Sequence, residues 1–229
     1  MPELVPVNPS GPVSTTVAGY SDNLGSFRSQ LLDWLNRTDI SVAQANTIIA
    51  RAVARCSREL RIPEMEKTVT LTVTPNSDGT IPQIDRMTLP DDFIQVKHLT
   101  VDGYPCSPVS YEKITVLPMD PGRGSVFARE QNTLVFRPLI KNYVTLIYVS
   151  AFAQMVNDGD TTSILAISPE CLMFAALSYA GDFFRMQDAT TWEQRFQIEK
   201  ATLNQLAQDK DTLAIPQQVA GVGHGYADY

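Results

Sequence analysis

The sequence has few cysteines and no long hydrophobic run, and each absence excludes a class of protein. Its three cysteines, Cys56, Cys106 and Cys171, lie far apart, so neither a zinc ribbon nor a disulfide framework is indicated. No stretch approaches the roughly 18 apolar residues of a membrane-spanning helix, and the first residues lack the pattern of a secretory signal. We therefore expect a globular chain with no membrane partner and with reduced, buried cysteines.

Positive charge and histidine are also scarce. The chain has 18 Lys and Arg against 25 Asp and Glu, a formal net charge of −7, and only two histidines. This balance lacks the basic footprint of a protein that grips nucleic-acid phosphates, and two distant histidines form no metal motif, so no cofactor is predicted. The 229 residues, 44% of them hydrophobic, suffice for one large domain or for a core domain with an insertion.

Two amphipathic helices are predicted near the start of the chain. Residues 24–37 place Phe27 and Trp34 on one apolar face at helical spacing. Residues 42–60 form the clearest helix, because apolar residues recur along one side of it. That stripe consists of Val42, Ala45, Ile49, Ala52, Val53, Cys56 and Leu60.

The hydrophobic period changes to two between residues 67 and 150. Residues 68–73 alternate strictly between polar and apolar side chains, as a half-buried strand does. Short β segments about ten residues apart are typical of a small antiparallel sandwich or barrel, so we predict such an inserted β domain over residues 67–150. Further strands are predicted near residues 80–89, 93–101, 113–117, 125–129, 132–136 and 143–150.

A second helical region is predicted over residues 151–210. Residues 168–170 (SPE) are a strong helix start, since serine caps, proline suits the first turn and glutamate favours the positive end of the dipole. Residues 171–181 are apolar nearly all round, which indicates a central, buried helix. Thr190 and Glu193 have the spacing of a capping box for the last helix. Its predicted buried stripe is Trp192, Phe196, Leu203 and Leu206.

The fold class predicted from this order of elements is α+β. Each terminal helix pair has an apolar face to bury, so we expect residues 21–66 and 151–210 to close into a four-helix bundle, with the β domain inserted between the pairs. Residues 1–20 contain four prolines, and residues 211–229 end in alternating glycines. We expect both to be extended arms that become ordered against partners.

Patterns that indicate catalysis or ligand binding are weak. The residues Asp91 and Asp92 are adjacent and point to opposite faces of an extended chain, which suits shared acid–base chemistry poorly. Residues 121–125 (PGRGS) do not lead into the helix of a phosphate-binding loop, and residues 157–160 (NDGD) lack the ligand spacing of a calcium loop. We therefore predict no enzyme, and the alternative is a hydrolase that uses His98 with one of the two aspartates.

One charged feature rises above background. Arg51, Arg55, Arg58 and Arg61 recur at helical spacing, on the side of the second helix away from its apolar stripe. The run is either a solvated helix face or a surface that meets an acidic partner or passing DNA phosphates. Because arginine also forms bidentate salt bridges between subunits, all four residues are candidates for inter-subunit or lumen contact.

Three stretches give the chain a resemblance to a known family. They are residues 51–60 (RAVARCSREL), residues 89–99 (LPDDFIQVKHL), and residues 148–152 (YVSAF) with the helices at 169–181 and 192–196. Together with the order of the elements, they resemble the head-to-tail adaptor (connector, head-completion) proteins of tailed bacteriophages. The resemblance covers about residues 25–210.

This resemblance implies a structural protein of the virion neck, made in the host cytoplasm. It implies a homo-oligomeric ring, usually of twelve subunits, that binds the portal protein on one side and the tail or nozzle protein on the other. Double-stranded DNA would pass through the lumen without sequence-specific binding. The C-terminal segment would dock on the portal, which makes Gly221, Val222, Gly223, His224, Gly225, Tyr226 and Tyr229 candidate portal-binding residues.

A second interpretation, drawn from the residues alone, is a binding module of the tail. In that case the β domain recognises a receptor or a glycan through exposed aromatic side chains such as Tyr104, Tyr111 or Tyr143.

Overall fold

The computed structural model describes residues 22–74, 82, 84–118 and 125–213 of the chain. Within these ranges the helices are α1 (Leu24–Leu35), α2 (Val42–Glu59), α3 (Tyr111–Val116), α4 (Ser163–Ile167), α5 (Pro169–Phe184) and α6 (Ala189–Leu213). The strands are β1 (Glu66–Thr72), β2 (Ile84–Thr88), β3 (Phe93–Val101), β4 (Tyr104–Pro108), β5 (Ser125–Glu130), β6 (Thr133–Ile140) and β7 (Tyr143–Ser150). The predicted α+β class is confirmed. No helix in the described ranges has the length and apolarity needed to cross a bilayer.

Both N-terminal helices begin with capping boxes encoded in the local sequence. The Asn23 side chain accepts a hydrogen bond from the Ser26 backbone N–H at 3.0 Å, and Ser41 accepts one from the Gln44 N–H at 3.3 Å. α1 ends where Asn36 adopts a left-handed conformation with φ of 48°, which asparagine tolerates better than most residues. The two predicted helices are thus confirmed, and they end two residues and one residue before their predicted limits.

The two long C-terminal helices differ in how well their starts were predicted. α5 begins at the expected signal, where the Ser168 hydroxyl accepts a hydrogen bond from the Cys171 N–H at 3.3 Å. α6 begins at Ala189, so Thr190 lies inside the helix and the capping box predicted there was wrong. The carboxylate of Glu193 instead forms two hydrogen bonds with an arginine of α2, the bidentate geometry that gives a strong carboxylate–guanidinium pair.

One apolar core joins helices from both ends of the chain. It contains Phe27 of α1, Ile49 of α2, Leu172 of α5 and Phe196 of α6, each at most 1% exposed. α5 contacts α1, α2, α4 and α6, which explains why its sequence is apolar on nearly every side. Closure of the four long helices into a regular four-helix bundle stays a prediction.

Three side chains predicted in buried stripes are exposed. Val42, Trp34 and Leu206 are 56%, 53% and 53% exposed, respectively. The buried face of α1 consists of Leu24, Phe27, Leu31 and Leu35, so Trp34 lies beside this face and not in it. On α2 the buried residues begin at Ala45. Near the end of α6, Ala207 is buried in place of the predicted Leu206.

The strands form one seven-stranded sheet in the order β1-β7-β3-β4-β5-β6-β2. Every pair is antiparallel except β4 with β5, which is parallel. The prediction of a purely antiparallel module was therefore wrong, and a sandwich or barrel is not confirmed. A parallel pair needs a crossover connection, and the chain between β4 and β5 supplies it.

The crossover contains a helix where a strand was expected at residues 113–117. α3 occupies this segment, capped by the Ser110 hydroxyl, which accepts a hydrogen bond from the Lys113 N–H at 3.3 Å. Its Ile114 is fully buried against Ala128 of β5. Of the β-branched residues that predicted a strand, only Ile114 is buried, and Val116 is 80% exposed.

The sheet curls so that its two halves enclose a common apolar core. Leu99 of β3 and Val144 and Leu146 of β7 pack in one cluster with Leu134 and Phe136 of β6. This cluster is separate from the helical core. The division into a helical domain and an inserted β domain stays a prediction. Two separate apolar cores are what such a division would require.

Two buried serines join the helical and the β parts of the chain. The Ser57 hydroxyl of α2 accepts a hydrogen bond from the Phe152 backbone N–H at 3.0 Å and donates one to the Val53 carbonyl at 2.9 Å. The Ser150 hydroxyl, at the end of β7, donates to the Met65 carbonyl at 2.8 Å. Buried backbone groups at the junction thereby gain partners that the regular elements do not supply.

We expect Ser57→Ala to weaken this junction. The substitution leaves the buried Phe152 N–H without an acceptor, which costs about 1–3 kcal/mol of the free energy of unfolding and lowers the urea midpoint. Ser29→Ala is the matched control, because Ser29 makes the same bond to the carbonyl four residues earlier, but at the surface. Equal midpoint shifts in the two variants would contradict the role given to the bond with Phe152.

Candidate functional site

The four arginines predicted as contact residues occupy three different environments. Arg51 and Arg58 are exposed on α2, and Arg61 is exposed just beyond its end. Arg55 lies between α2 and α6 with 13% of its side chain exposed. The regular spacing in sequence therefore does not translate into one uniform surface.

Arg55 is held by two carboxylates and two aromatic rings. Its Nη1 and Nη2 atoms donate to the two carboxylate oxygens of Glu193, at 2.7 and 2.6 Å, and its Nε donates to Glu59 Oε1 at 2.8 Å. The guanidinium also lies 4.1 Å from the ring centroid of Phe196 and 5.6 Å from that of Tyr179. A bidentate pair stacked on a ring is the geometry that arginine favours over lysine. This guanidinium joins α2 to α5 and α6 within one chain.

The two glutamates that hold Arg55 have further partners of their own. Ser178 of α5 donates to Glu193 at 2.6 Å, and Gln197 of α6 donates to it at 2.7 Å. Lys200 Nζ lies 2.9 Å from Glu59 Oε2. The resulting polar network follows the α2–α6 contact, so it sets the position of one helix along the other.

The network holds its carboxylates in the charged form. The hydrogen bonds from Arg55 lower the pKa of Glu193 to about 2, against the opposing effect of burial. For Glu59, burial is the largest single influence and opposes ionisation, but the bonds from Arg55 and Lys200 outweigh it, and the pKa is lowered. The same pairing raises the pKa of Arg55. All three groups are charged at neutral pH.

Arg61 closes the C-terminal end of α2. Its Nη1 donates to the carbonyls of Ser57 and Leu60, at 3.3 and 2.5 Å, and its backbone N–H donates to Asn204 of α6 at 2.8 Å. A cation at a helix C-terminus interacts favourably with the dipole and with the last carbonyls. Arg61 thus has a structural contact while its side chain still reaches solvent.

Arg51 and Arg58 are the members of the run that are free within the described part of the chain. Neither has a hydrogen bond or an ion pair to a residue in those ranges, and both are exposed. Arg51 lines a groove of about 230 Å³ between α2 and α5, together with the 62% exposed Phe183. These two cations are available to a second molecule.

The residues considered for hydrolysis are not assembled into a catalytic site. His98 is exposed on β3, and both carboxylate oxygens of Asp92 are engaged, one with Lys67 at 2.5 Å and one with the Tyr148 hydroxyl at 2.9 Å. Burial and the bond to Asp92 raise the pKa of Tyr148 to about 12. Among the described residues, no cluster of His, Cys, Asp or Glu is arranged to hold a metal ion.

The acidic loop at residues 157–160 serves the N-terminus of α1. Asp158 forms a bidentate pair with Arg28, at 2.8 and 3.0 Å, and the Asp158 and Asp160 carbonyls accept from the first N–H groups of α1, each at 2.9 Å. The Asp160 carboxylate accepts from two backbone N–H groups of its own loop. The loop therefore connects two elements of the chain and caps the N-terminus of α1.

A larger groove runs between α1, α5 and α6, and we call it the Trp34 groove. Its volume is about 650 Å³. Its aromatic residues are Phe27, Trp34 and Phe174, and its other lining residues are Gln30, Asp33, Pro169, Glu170, Met173 and Arg195. Trp34 was predicted to be a core residue, and its exposure at 53% makes it a surface feature instead.

Glu193 and Trp34 are the site residues that sequence reasoning did not identify. Glu193 was assigned to a local cap, and only the distance in space to Arg55 shows its role. Trp34 was placed on the apolar face of a helix predicted to reach residue 37, so no signal in the sequence marked it as exposed. The candidate portal-binding residues at 221–229 lie outside the described residues.

The comparisons with known proteins include a family match. A family model described as SU10 adaptor protein matches residues 22–220. None of the curated proteins matches the chain.

We expect Glu193→Gln to destabilise the protein at neutral pH and to flatten its acid sensitivity. A carboxylate with a lowered pKa contributes stability above its ordinary pKa and loses it as the pH falls from about 5 to about 2. The loss at pH 7 should be about 1–2 kcal/mol, less than for a buried pair because the side chain is 37% exposed. Urea midpoints at pH 7, 4 and 3 measure both effects.

Glu199→Gln is the matched control for this experiment. Glu199 lies on the same helix and loses the same charge, but it has no hydrogen bond or ion pair to a residue in the described ranges. Its variant should follow the native pH profile. A parallel loss of stability in both variants would show that helix charge, and not the bond to Arg55, is responsible.

Proposed function

Since this chain belongs to the SU10 adaptor protein family, we propose that it is a phage structural adaptor that assembles as a ring of twelve copies at the head–tail junction. The match over residues 22–220 is the observation that carries this proposal. In the virion the ring binds the portal protein on one side and the tail or nozzle protein on the other. Its role is structural, without catalysis.

A ring requires two different faces on each subunit, which meet head to tail around the circle. The free cations Arg51 and Arg58 supply one such face on α2, and an acidic surface of the neighbouring copy supplies the other in a chain of net charge −7. Arg61 lies at the edge of the same face. Arg55 contributes to this face only indirectly: its guanidinium bonds to Glu193 and so fixes the position of α2.

The charge distribution also suits a DNA channel. A ring of acidic subunits repels the duplex, so DNA slides through it without being held. Clustered and partly buried cations would bind phosphates most tightly. Arg55 and Lys200 are cations of this kind, but each forms a salt bridge with a glutamate. If the free arginines face the lumen, their contacts with phosphates are few and salt-sensitive.

The parts of the chain have separate tasks in this proposal. The helical part, residues 21–66 with 151–210, forms the ring, and the inserted β domain, residues 67–150, faces the tail. The C-terminal segment, residues 211–229, docks on the portal through its glycines and tyrosines. Support comes from the two separate cores and from the end of α6 at Leu213. Residues 211–213 belong to this helix, so the docking segment starts three residues later than its predicted boundary.

A second candidate function is recognition of a receptor or glycan by the β domain. Tyr104 and Tyr143 are 72% and 39% exposed, and both flank the turn at Asp102 and Gly103, where the Asp102 N–H donates to the Tyr143 carbonyl. Exposed aromatic rings suit the apolar faces of sugars. The test is binding of the full chain to host cells. A Tyr104→Ala variant that loses this binding but still assembles into virions would favour this function.

We expect deletion of residues 217–229 to leave the fold intact but to abolish portal binding. The cut lies beyond α6, so the helical core is untouched and the melting temperature should not change. Native mass measurement of the chain mixed with portal rings detects the complex. A chain with residues 217–229 in scrambled order is the control for length and composition. Unchanged assembly of the truncated chain on the portal would refute the docking role.

We expect the double variant Arg51→Glu and Arg58→Glu to lose the ring but keep the subunit. Both side chains are exposed and unpaired within the described ranges, so stability of the single chain should change by only about 0.5 kcal/mol. Mass measurement across a salt series separates ring from subunit. Lys113→Glu, an exposed reversal on α3, is the control and should assemble normally. Rings of unchanged mass and salt tolerance in the double variant would exclude this face from the interface.

A further inference from the structure

The Trp34 groove is an aromatic-lined feature of the helical part. Trp34 and Phe174 meet edge to face with ring centroids 6.0 Å apart, and Phe27, fully buried, lies against them. The Arg195 guanidinium lies 5.5 Å from the Phe174 ring centroid. Aromatic side chains thus form the walls of an open channel along α1.

The groove also offers hydrogen-bond donors. The Trp34 indole N–H and the Arg195 guanidinium have no hydrogen-bond partner among the described residues. A ligand that suits this surface has an apolar face together with carbonyl groups that lack internal partners. A polyproline II segment has both properties, since its backbone forms no internal hydrogen bonds, and aromatic-lined grooves are its usual docking site.

The chain contains such a segment. Pro6, Pro9 and Pro12 recur every third residue in the stretch PVNPSGP. A polyproline II helix has three residues per turn, so these three prolines share one edge. Pro2 is out of this register. The spacing therefore produces a single proline face rather than prolines scattered around the helix.

We propose that residues 6–12 of the chain bind in the Trp34 groove of the same chain as a polyproline II helix, with the shared proline edge on Trp34 and Phe174. Residues 13–23 connect this segment to the start of α1. A flexible chain of eleven residues has a root-mean-square length of about 18 Å, and the 12 residues of α1 also span about 18 Å. A link whose length matches the distance it spans raises the effective concentration of the tethered segment to the millimolar range. In dilute solution the groove therefore binds the segment of its own chain in preference to that of another copy. The inference does not depend on the adaptor function.

Acrylamide quenching of tryptophan fluorescence tests the proposal on the full chain. Trp34 is 53% exposed and Trp192 is 9% exposed, so the quencher reports mainly on Trp34, and Trp34→Phe assigns that signal. The triple variant Pro6→Ala, Pro9→Ala, Pro12→Ala should show stronger quenching and a red-shifted emission, whereas Pro2→Ala should behave as the native chain. Equal quenching in the native chain and the triple variant overturns the proposal.

A peptide of residues 1–14 added to the triple variant tests the groove itself. It should restore the protection of Trp34, and the same peptide with alanine at positions 6, 9 and 12 should not. Followed by calorimetry, Trp34→Ala in the triple variant should weaken peptide binding by about tenfold or more, because truncating a central aromatic anchor removes much of the energy of an interface. Phe183→Ala, in the other groove, is the matched control. Binding insensitive to Trp34→Ala overturns the proposed site.

Dilution distinguishes the chain's own segment from that of another copy. Protection within one chain is independent of protein concentration, so quenching should stay constant from micromolar to nanomolar protein. Protection that disappears on dilution means that the segment comes from a neighbouring copy, and this outcome overturns the proposal that the segment folds back on its own chain.

Discussion

The burial of α5 is the constraint on which the rest of the structure depends. Its residues are apolar on nearly every side, and a helix of that kind must be covered on nearly every side. The helices that cover it come from both ends of the chain, α1 and α2 before the sheet and α4 and α6 after it. The intervening strands are therefore held between two segments that the core fixes, and Ser57 and Ser150 provide the buried polar contacts where the strands leave the helices.

Apolar burial alone does not set how far one helix lies along another, because apolar contacts have little directional preference. The Arg55 network supplies that direction. Its bidentate bonds to Glu193 and its bond to Glu59 are satisfied in one alignment of α2 with α6, and a shifted alignment would leave a partly buried charge unpaired at considerable cost. The same network engages Arg55, which its spacing in the sequence had placed on a candidate binding surface.

The surface that remains fits an adaptor better than an enzyme or a nucleic-acid-binding protein. The strand histidine is exposed without a catalytic partner, and the aspartate considered with it is engaged by Lys67 and Tyr148. What the described residues expose instead are two free arginines and an aromatic groove, features that recognise other chains. A subunit of a phage neck needs such contact surfaces, and the match to the SU10 adaptor family agrees with that use of them.

The elements that local chemistry decides were predictable from sequence. The caps at Ser41 and Ser168, the buried character of α5 and the α+β class follow from residue types within a few positions of one another. The parallel pairing of β4 with β5, the helix in place of a strand at α3, the exposure of Trp34 and the pairing of Arg55 with Glu193 became visible only in three dimensions. Each of these depends on what lies next to a residue across space, and neither hydrophobic period nor turn signals encode which distant segment that will be.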